Sequence, residues 1–486
     1  PRPFCLGSFA AHRVSCFTSL CATVACPESV WMPRGRTPRI ARLTCAALLA
    51  GSVWAAPCED QAACDAASDD LELLQITSPG SKSVGQWAPG TPLARRFPAG
   101  AGMLQETVGA YGSCRLDSSD CSLEGMGGKP TLVYPGGDTR CINGDEYAFA
   151  VVPGDADKLL YYFEGGGACW QADGAVGHQV VQQCTNSLAA GIATTGFGLG
   201  MQADSEGNPL SGYTIVEPIY CSGDAFMGDT TMSSGNVTLI QKGYANGLAV
   251  MEWAKKNFPG ELASFVVMGF SAGSLGTMAW STTLLSEFKY KKAAVILDSY
   301  AGIFPDGTQG PTITGWGGCR TRLMPFNLKI KCLSHAVTVQ DKLKEAMKLN
   351  PNVTFASIQS KVDHAQLWFY QGMAQSWGML TDMMITGPQF YAKANALFRD
   401  LLEDFPNYRL YLVDGDQHCF TSEPYFSTAS TAGKESPAPE DVPTLQEWVG
   451  RVLSEGFAGV SAVECEGPEA PNGDSSSTYC DEALLQ

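Results

Sequence analysis

Between about residue 128 and residue 420 the apolar positions of this chain fall into two alternating patterns. Short runs of β-branched, aromatic and aliphatic residues end in glycine or turn residues: Tyr147–Val152, Leu159–Phe163, Tyr213–Tyr220, Phe265–Phe270, Ala293–Leu297 and Tyr408–Val413. Each has the length of a strand and is nearly continuously apolar, as expected where a strand is covered on both faces. Stretches with helical character lie among them: Val237–Asn257, Val337–Lys348, Val362–Trp377 and Gln389–Asp404. Strands alternating with helices predict an α/β fold, a mostly parallel central sheet with helices on both faces.

The flanks read differently. Residues 57–127 are rich in Ala, Gly, Ser, Pro and Asp without periodic apolar spacing, which predicts a flexible or propeptide-like segment. Residues 466–486 read as a polar tail, leaving 128–465 for the α/β domain. The first Met is Met32; Arg34, Arg36, Arg39 and Arg42 then precede the apolar run Leu43–Val53 and the small-residue site Val53-Trp54-Ala55. Residues 32–56 are therefore expected to be a secretory signal peptide, with 1–31 upstream of the native start. No apolar run approaches the ~20 residues of a membrane span.

Composition narrows the function. Of 486 residues 45% are hydrophobic and 17% charged, which excludes a largely disordered chain. The net charge is −17, and beyond residue 56 the chain carries 26 basic against 48 acidic residues, a net of −22. A general nucleic-acid binder needs a basic footprint, so that class is set aside. Thirteen of the 18 Cys lie beyond residue 56, which in a secreted chain predicts disulfides. Cys169–Cys184, Cys319–Cys332 and Cys465–Cys480 are short-range candidates, and an odd count leaves at least one thiol free or paired with another chain. Asn236 and Asn352 open Asn-Val-Thr glycosylation triplets.

Gly269-Phe270-Ser271-Ala272-Gly273 has the Gly-x-Ser-x-Gly pattern, weak alone but here preceded by the apolar strand Phe265–Met268 and followed by a small-residue helix start. In that context a sharp turn lifts the serine hydroxyl above the sheet, where it can act as a nucleophile, and the helix N-terminus aims N–H groups at developing negative charge. Upstream, the strand Leu159–Phe163 runs through Glu164 into Gly165-Gly166-Gly167. Esterases place a second oxyanion donor on such a loop. The oxyanion donors are assigned to Ala272 and to Gly166 or Gly167. With no Lys after the glycines, a phosphate loop ranks below this reading.

A serine nucleophile needs a histidine and an acid, in that fold in the order Ser, acid, His. His418 follows the last predicted strand in the loop Asp414-Gly-Asp-Gln-His418, whereas His335 has no strand behind it. Strand position slightly favours Asp298 as the acid; Asp363 opens a helix, and Asp414 and Asp416 read as turn formers. Five scattered His with no His-Glu-x-x-His spacing imply no metal and no cofactor.

Together these blocks resemble the pectin acetylesterase family, which includes the Notum carboxylesterases, from about Pro130 to Phe420 and in the microbial rather than the plant or animal branch. Besides Phe163-Glu-Gly-Gly-Gly-Ala-Cys-Trp170, the matching segments are Thr139-Arg-Cys141-Ile-Asn-Gly144-Asp145, Tyr213–Asp229 with Tyr220-Cys-Ser-Gly-Asp224, and Asp298-Ser299. The resemblance implies an α/β-hydrolase-like fold, a metal-free Ser–Asp–His triad and O-deacylation. It moves the acid to Asp363, because Asp363-His-Ala-Gln366 is similar to the family's Asp-x-Ala-Gln segment, and His418-Cys419 matches its His–Cys pair. Cys332-Leu-Ser-His335 resembles the wording around the Notum histidine but precedes Asp363. Ala168 stands where the family often has Trp, and Tyr300 replaces a glycine.

The expected protein is a secreted serine carboxylesterase with Ser271, Asp363 and His418 as triad, removing O-acetyl groups from an acetylated polysaccharide such as pectin. Trp170, Asp224 and Tyr300 are expected to line the substrate site, with Trp170 a candidate stacking surface for a sugar ring. The strong negative charge favours acetylated polysaccharide in general over polygalacturonate. Alternatives are a Notum-like deacylase of a longer acyl group and a non-catalytic glycan-binding domain. No nucleic-acid partner is expected, and the oligomeric state is open.

Overall fold

A computed structural model describes residues 111–463 apart from 176, 195–197 and 235–236. The signal peptide, most of the 57–127 segment, the 466–486 tail, Asn236 and the Cys465–Cys480 pair lie outside the described residues. Asn352 is exposed in the turn before a core strand.

The strands are β1 (Gly112–Arg115), β2 (Thr131–Tyr134), β3 (Phe149–Val152), β4 (Asp155–Phe163), β5 (Gly167–Gly174), β6 (Gly177–Cys184), β7 (Tyr213–Glu217), β8 (Thr230–Ser234), β9 (Val237–Gln241), β10 (Glu261–Phe270), β11 (Lys289–Asp298), β12 (Thr354–Ser360) and β13 (Tyr408–Val413). Helices of eight residues or more are α1 (Gly243–Asn257), α2 (Ala272–Glu287), α3 (Phe326–Leu333), α4 (Val339–Leu349), α5 (His364–Trp377), α6 (Gly387–Asp404) and α7 (Leu445–Glu455). Nine strands form one sheet in the order β1-β2-β3-β7-β4-β10-β11-β12-β13, and β5–β6 and β8–β9 are separate hairpins. Within the sheet β3 runs against both of its neighbours and every other pairing is parallel.

The two-residue period of the strands divides the core. Leu159, Tyr161, Phe163, Phe265, Val267, Val295 and Leu297 point to one face, where residues of α1, α2, α4 and α6 pack over them. Leu160, Tyr162, Val266, Met268, Ala294 and Ile296 point to the other, under Trp448, Val449 and Val452 of α7. Each such fully buried side chain contributes about 1.5–3 kcal/mol relative to exposure, and covering both faces is why these strands read as unbroken apolar runs.

Two departures from the sequence reading have local causes. Val237–Gln241 is a strand rather than the first turn of α1, paired with Thr230–Ser234. Lys242, at the N-cap of α1, makes no side-chain cap. The Asp224 carboxylate, distant in sequence, instead accepts from the Gly243 N–H at 2.9 Å. β12 escaped notice because Ser357, Gln359 and Ser360 interrupt it, yet the strand is buried throughout. Two of its polar side chains are met inside the fold, Tyr408 donating to Ser357 Oγ at 2.7 Å and Gln366 Nε2 to Gln359 Oε1 at 2.9 Å, while the buried Ser360 hydroxyl has no hydrogen-bond partner among the described residues.

Disulfides join Cys114–Cys121, Cys141–Cys221, Cys169–Cys184 and Cys319–Cys332, and Cys419 is a buried free thiol. Both short-range pairs that fall on described residues are therefore present. Among the described residues no helix is long and apolar enough to cross a membrane.

Candidate active site

The parallel strands β4, β10, β11, β12 and β13 all end on one edge of the sheet, the edge at which α/β proteins bind ligands. Ser271 sits between β10 and α2 with φ 53° and ψ −123°, a costly conformation for a residue with a Cβ. Its N–H donates to the Asp298 carbonyl at 2.9 Å, which ties the turn to the end of β11. The flanking glycines are required by close approach. A Cβ on Gly273 would fall on the Phe163 carbonyl, and one on Gly269 on the Gly273 carbonyl.

His418 follows β13 in a loop anchored along its length. The N–H groups of Lys361, Val362 and His364 donate to the carbonyls of Val413, Gly415 and Asp416 at 3.0–3.1 Å. Asp414 pairs with buried Lys361 at 2.9 Å. So held, His418 has Nε2 2.9 Å from Ser271 Oγ and Nδ1 2.8 and 3.0 Å from the two Asp363 oxygens. This geometry fits an Nδ1–H tautomer, with the serine hydroxyl donating to Nε2.

Asp363 is fully buried as the N-cap of α5. Its Oδ1 accepts from the N–H groups of Ala365 and Gln366 at 3.0 and 2.9 Å, and its Oδ2 from Gln366 Nε2 at 2.8 Å. Gln366 also accepts the Ala301 N–H at 3.0 Å. Its supporting role was missed from sequence, although an Asp followed three residues later by Gln is a helix-start pattern. Burial works against the imidazolium of His418, but the Asp363 charge and hydrogen bond, with Asp298 and Glu423 adding, raise its pKa above the ordinary 6.5.

Asp298, the acid that strand position alone preferred, is also fully buried. Its Oδ2 accepts from Phe420 N, Thr421 N and Thr421 Oγ1 at 2.9, 2.7 and 2.7 Å, and its Oδ1 from Ser299 Oγ at 2.7 Å. It grips the residues after His418 rather than the imidazole. His335 is exposed in the turn after α3.

The glycine loop lies against the serine: a Cβ on Gly165 would sit 2.8 Å from Ser271 Cβ. Gly167, at φ +75°, packs its α-carbon against the Gln183 carbonyl and Phe369. The loop leads into the β5–β6 hairpin, stapled by Cys169–Cys184 and held by Cys169 N–H donating to the Gly223 carbonyl at 2.8 Å. Ala272 opens α2, so its N–H is a first-turn donor without an intrahelical acceptor.

Two expected substrate residues are enclosed instead. Trp170 is fully buried, packed with Phe369 and Met373 and donating its indole N–H to Ser376 Oγ at 3.0 Å. Asp224 is fully buried as the remote cap of α1, and burial pushes its carboxyl up to about 7. Trp170 takes an inward-facing position of β5 and Asp224 lies in a loop that is buried throughout, neither of which residue type alone reveals. Tyr300 stays near the site, close enough to Asp363 for that charge to raise its phenol pKa along with burial.

Two cavities, of about 520 and 670 Å³, are lined by residues around Lys291, Asn352 and Phe457 and around Arg115 and Glu146, and neither has Ser271, Asp363 or His418 in its lining. Among the described residues no group of three or more His, Cys, Asp or Glu side chains is placed to hold a metal ion.

The profile of one family, Pectinacetylesterase, matches residues 130–362, a span that holds Ser271 and the glycine loop and stops short of Asp363 and His418. No curated protein sequence matches the chain. Among solved structures it is similar to the Wnt deacylase Notum from Drosophila, with 14% identity, a TM-score of 0.47, and coverage of 70% of this chain and 97% of that one.

Proposed function

We propose that this chain, whose residues 130–362 match the Pectinacetylesterase profile, is a carboxylic ester hydrolase, a secreted serine esterase that removes acetyl groups from an acetylated polysaccharide. The observation that carries this reading is His418, with Nε2 2.9 Å from Ser271 Oγ and Nδ1 2.8 Å from Asp363. Ser271 Oγ attacks the ester carbonyl and its proton passes to His418 Nε2, while Asp363 stabilises the imidazolium and fixes its tautomer. The oxyanion lies between the N–H of Ala272 and that of Gly166 or Gly167; one such donor is worth about 3 kcal/mol. Collapse gives the His418 proton to the departing sugar oxygen. A water deprotonated by His418 then cleaves the acetyl-enzyme, releasing acetate and restoring Ser271.

Preference for a short acyl group is supported by what surrounds the serine. Phe369 abuts Gly167, its Cζ 3.0 Å from where a Cβ would stand, and Tyr300 sits beside Asp363. We read these rings as narrowing the acyl space, in which each added methylene would contribute about 0.8 kcal/mol if it fitted. Four disulfides support secretion into an oxidising compartment. The net charge of −22 beyond residue 56 favours weakly charged polysaccharides over polygalacturonate at low salt.

The test is kcat/KM for acetyl, butyryl, octanoyl and palmitoyl esters of one alcohol, wild type beside Ser271→Ala. Activity is expected to fall from acetyl to palmitoyl, and the variant to lose at least ~10³-fold in kcat. A rise toward octanoyl or beyond overturns the acetyl assignment, and a Ser271→Ala enzyme within tenfold of wild type overturns the site.

A further inference from the structure

With Trp170 enclosed, a sugar ring needs another flat apolar surface near Ser271, and α5 carries one. His364 is the first residue of this helix, and its ring meets that of His418 edge to face with centroids 6.3 Å apart. Four residues on, one turn and roughly 6 Å along the axis, Trp368 stands on the same side of the helix. It is 41% exposed, whereas Trp170, Trp280, Trp316 and Trp448 are buried in the core.

Trp368 also reaches the oxyanion side of the site. It packs edge to face on Phe369, with centroids 5.0 Å apart, and the Phe369 ring edge lies against Gly167. Ala168, which partly packs on the Phe369 cluster, adds only a methyl group there. The indole therefore stands one helical turn from His364, whose ring meets that of His418, and packs on Phe369, which lies against the glycine loop. His364 and Asp416, joined by the His364 N–H to the Asp416 carbonyl at 3.1 Å, are both exposed at the start of the same helix.

This combination suits a carbohydrate. The C–H face of a pyranose is apolar while its rim is hydroxylated, so it rests on an open indole with polar groups at the edge; an acyl chain is better held by an enclosed tunnel. An indole presents that area at little entropic cost. We propose that Trp368 is the platform on which a sugar ring of the acetylated polysaccharide stacks, holding the ester over Ser271. This inference rests on the acetyl-polysaccharide reading above.

The experiment compares an acetylated oligosaccharide with glyceryl triacetate, an ester of the same acyl group with no ring to stack. Trp368→Ala is expected to raise KM for the oligosaccharide by about five- to tenfold with kcat little changed, and to lower kcat/KM for it at least about fivefold more than for the triacetate. Trp368→Tyr, which keeps an aromatic face, is expected to recover most of the loss. If the alanine variant does not fold, Trp368→Gln against Trp368→Tyr carries the same contrast. Equal losses on both esters, or an unchanged oligosaccharide KM, overturn the platform while leaving the esterase intact. A wild type that cleaves the triacetate and no acetylated saccharide overturns the polysaccharide reading and the platform together.

Discussion

Asp298 and Asp363 stand at the ends of neighbouring parallel strands, both fully buried and both accepting several hydrogen bonds. They differ in which donors they face. Asp298 takes the N–H groups of Phe420 and Thr421 and two hydroxyls, so it positions the backbone that carries His418. Asp363 takes the ring itself, Nδ1 at 2.8 Å, and is held by its own helix start and by Gln366. A carboxylate at a strand end is thus not by itself a triad acid. One of the two governs where the imidazole stands, the other which tautomer it holds, and only the donor set separates them.

The sharpest way to break that distinction is to neutralise each in turn. Asp363→Asn presents an amide to Nδ1 and is expected to lower kcat by about 10³–10⁴-fold, the scale seen when the same change is made in a serine protease. Asp298→Asn keeps an oxygen for the Phe420 and Thr421 donors and is expected to cost less than about tenfold, because no reacting atom touches it. Steady-state kinetics on a short acetyl ester decides, and a larger loss in Asp298→Asn would reverse the two assignments.

A smaller effect tests how Asp298 reaches the histidine. Its charge is one of those that raise the His418 pKa above 6.5 despite burial, and in the proposed mechanism the free enzyme needs neutral His418 as its base. The acid limb of kcat/KM is therefore expected above pH 6.5. Asp298→Asn should move it to lower pH by a fraction of a unit, since removing a negative charge makes the imidazolium easier to deprotonate. A limb that stays put while kcat falls would mean that Asp298 acts through loop geometry alone.

Much of the frame was legible because parallel strands covered on both faces must be continuously apolar. Leu159–Phe163, Phe265–Phe270 and Tyr408–Val413 advertised themselves, as did the turn at Ser271, whose glycines answer a steric demand that residue type records. β12 did not, because Ser357 and Gln359 find partners only once Tyr408 and Gln366 have been brought beside them. The meeting of Ser271 with His418 was readable as chain order, but the choice between Asp298 and Asp363 was not a property of strand position. It came from resemblance, and the hydrogen bonds that distinguish the two are tertiary. Trp170 misled for a related reason. It lies just past the glycine loop, but the side chains of β5 alternate and Trp170 faces inward, while exposed Trp368 lay in a helix with no local mark of the site.

The last and smallest expected effect extends the comparison to a carboxyl that few donors serve. Glu217 is fully buried beside Glu164; its Oε2 accepts from Gln202 at 3.1 Å and its Oε1 has no hydrogen-bond partner. At Asp298 burial raises the carboxyl while the hydrogen bonds from Thr421, Ser299 and Phe420 lower it; at Glu217 burial, opposed by the Gln202 hydrogen bond alone, pushes it up to about 8. Burial, and then the charge of Glu217, raises Glu164 well above the usual carboxylate range. Because the folded pKa of Glu217 exceeds the unfolded value near 4.5, the folded state keeps a proton that the unfolded chain releases. Its contribution to stability is complete below pH 4.5 and is lost as pH rises through about 8. Glu217→Gln cannot ionise, so its Tm should match or trail that of wild type at pH 5 and exceed it by a few degrees at pH 9. Parallel Tm-against-pH curves for the two proteins would show that Glu217 is ionised in the fold after all. A reduced but surviving slope in the variant would come from the other carboxyls that burial raises, Asp224 and Glu164 among them; Glu164 accepts the Tyr220 N–H at 2.6 Å and precedes the glycine loop. Alkaline loss of activity that is absent in Glu164→Gln but kept in Glu217→Gln would tie the loop's placement to a proton on Glu164.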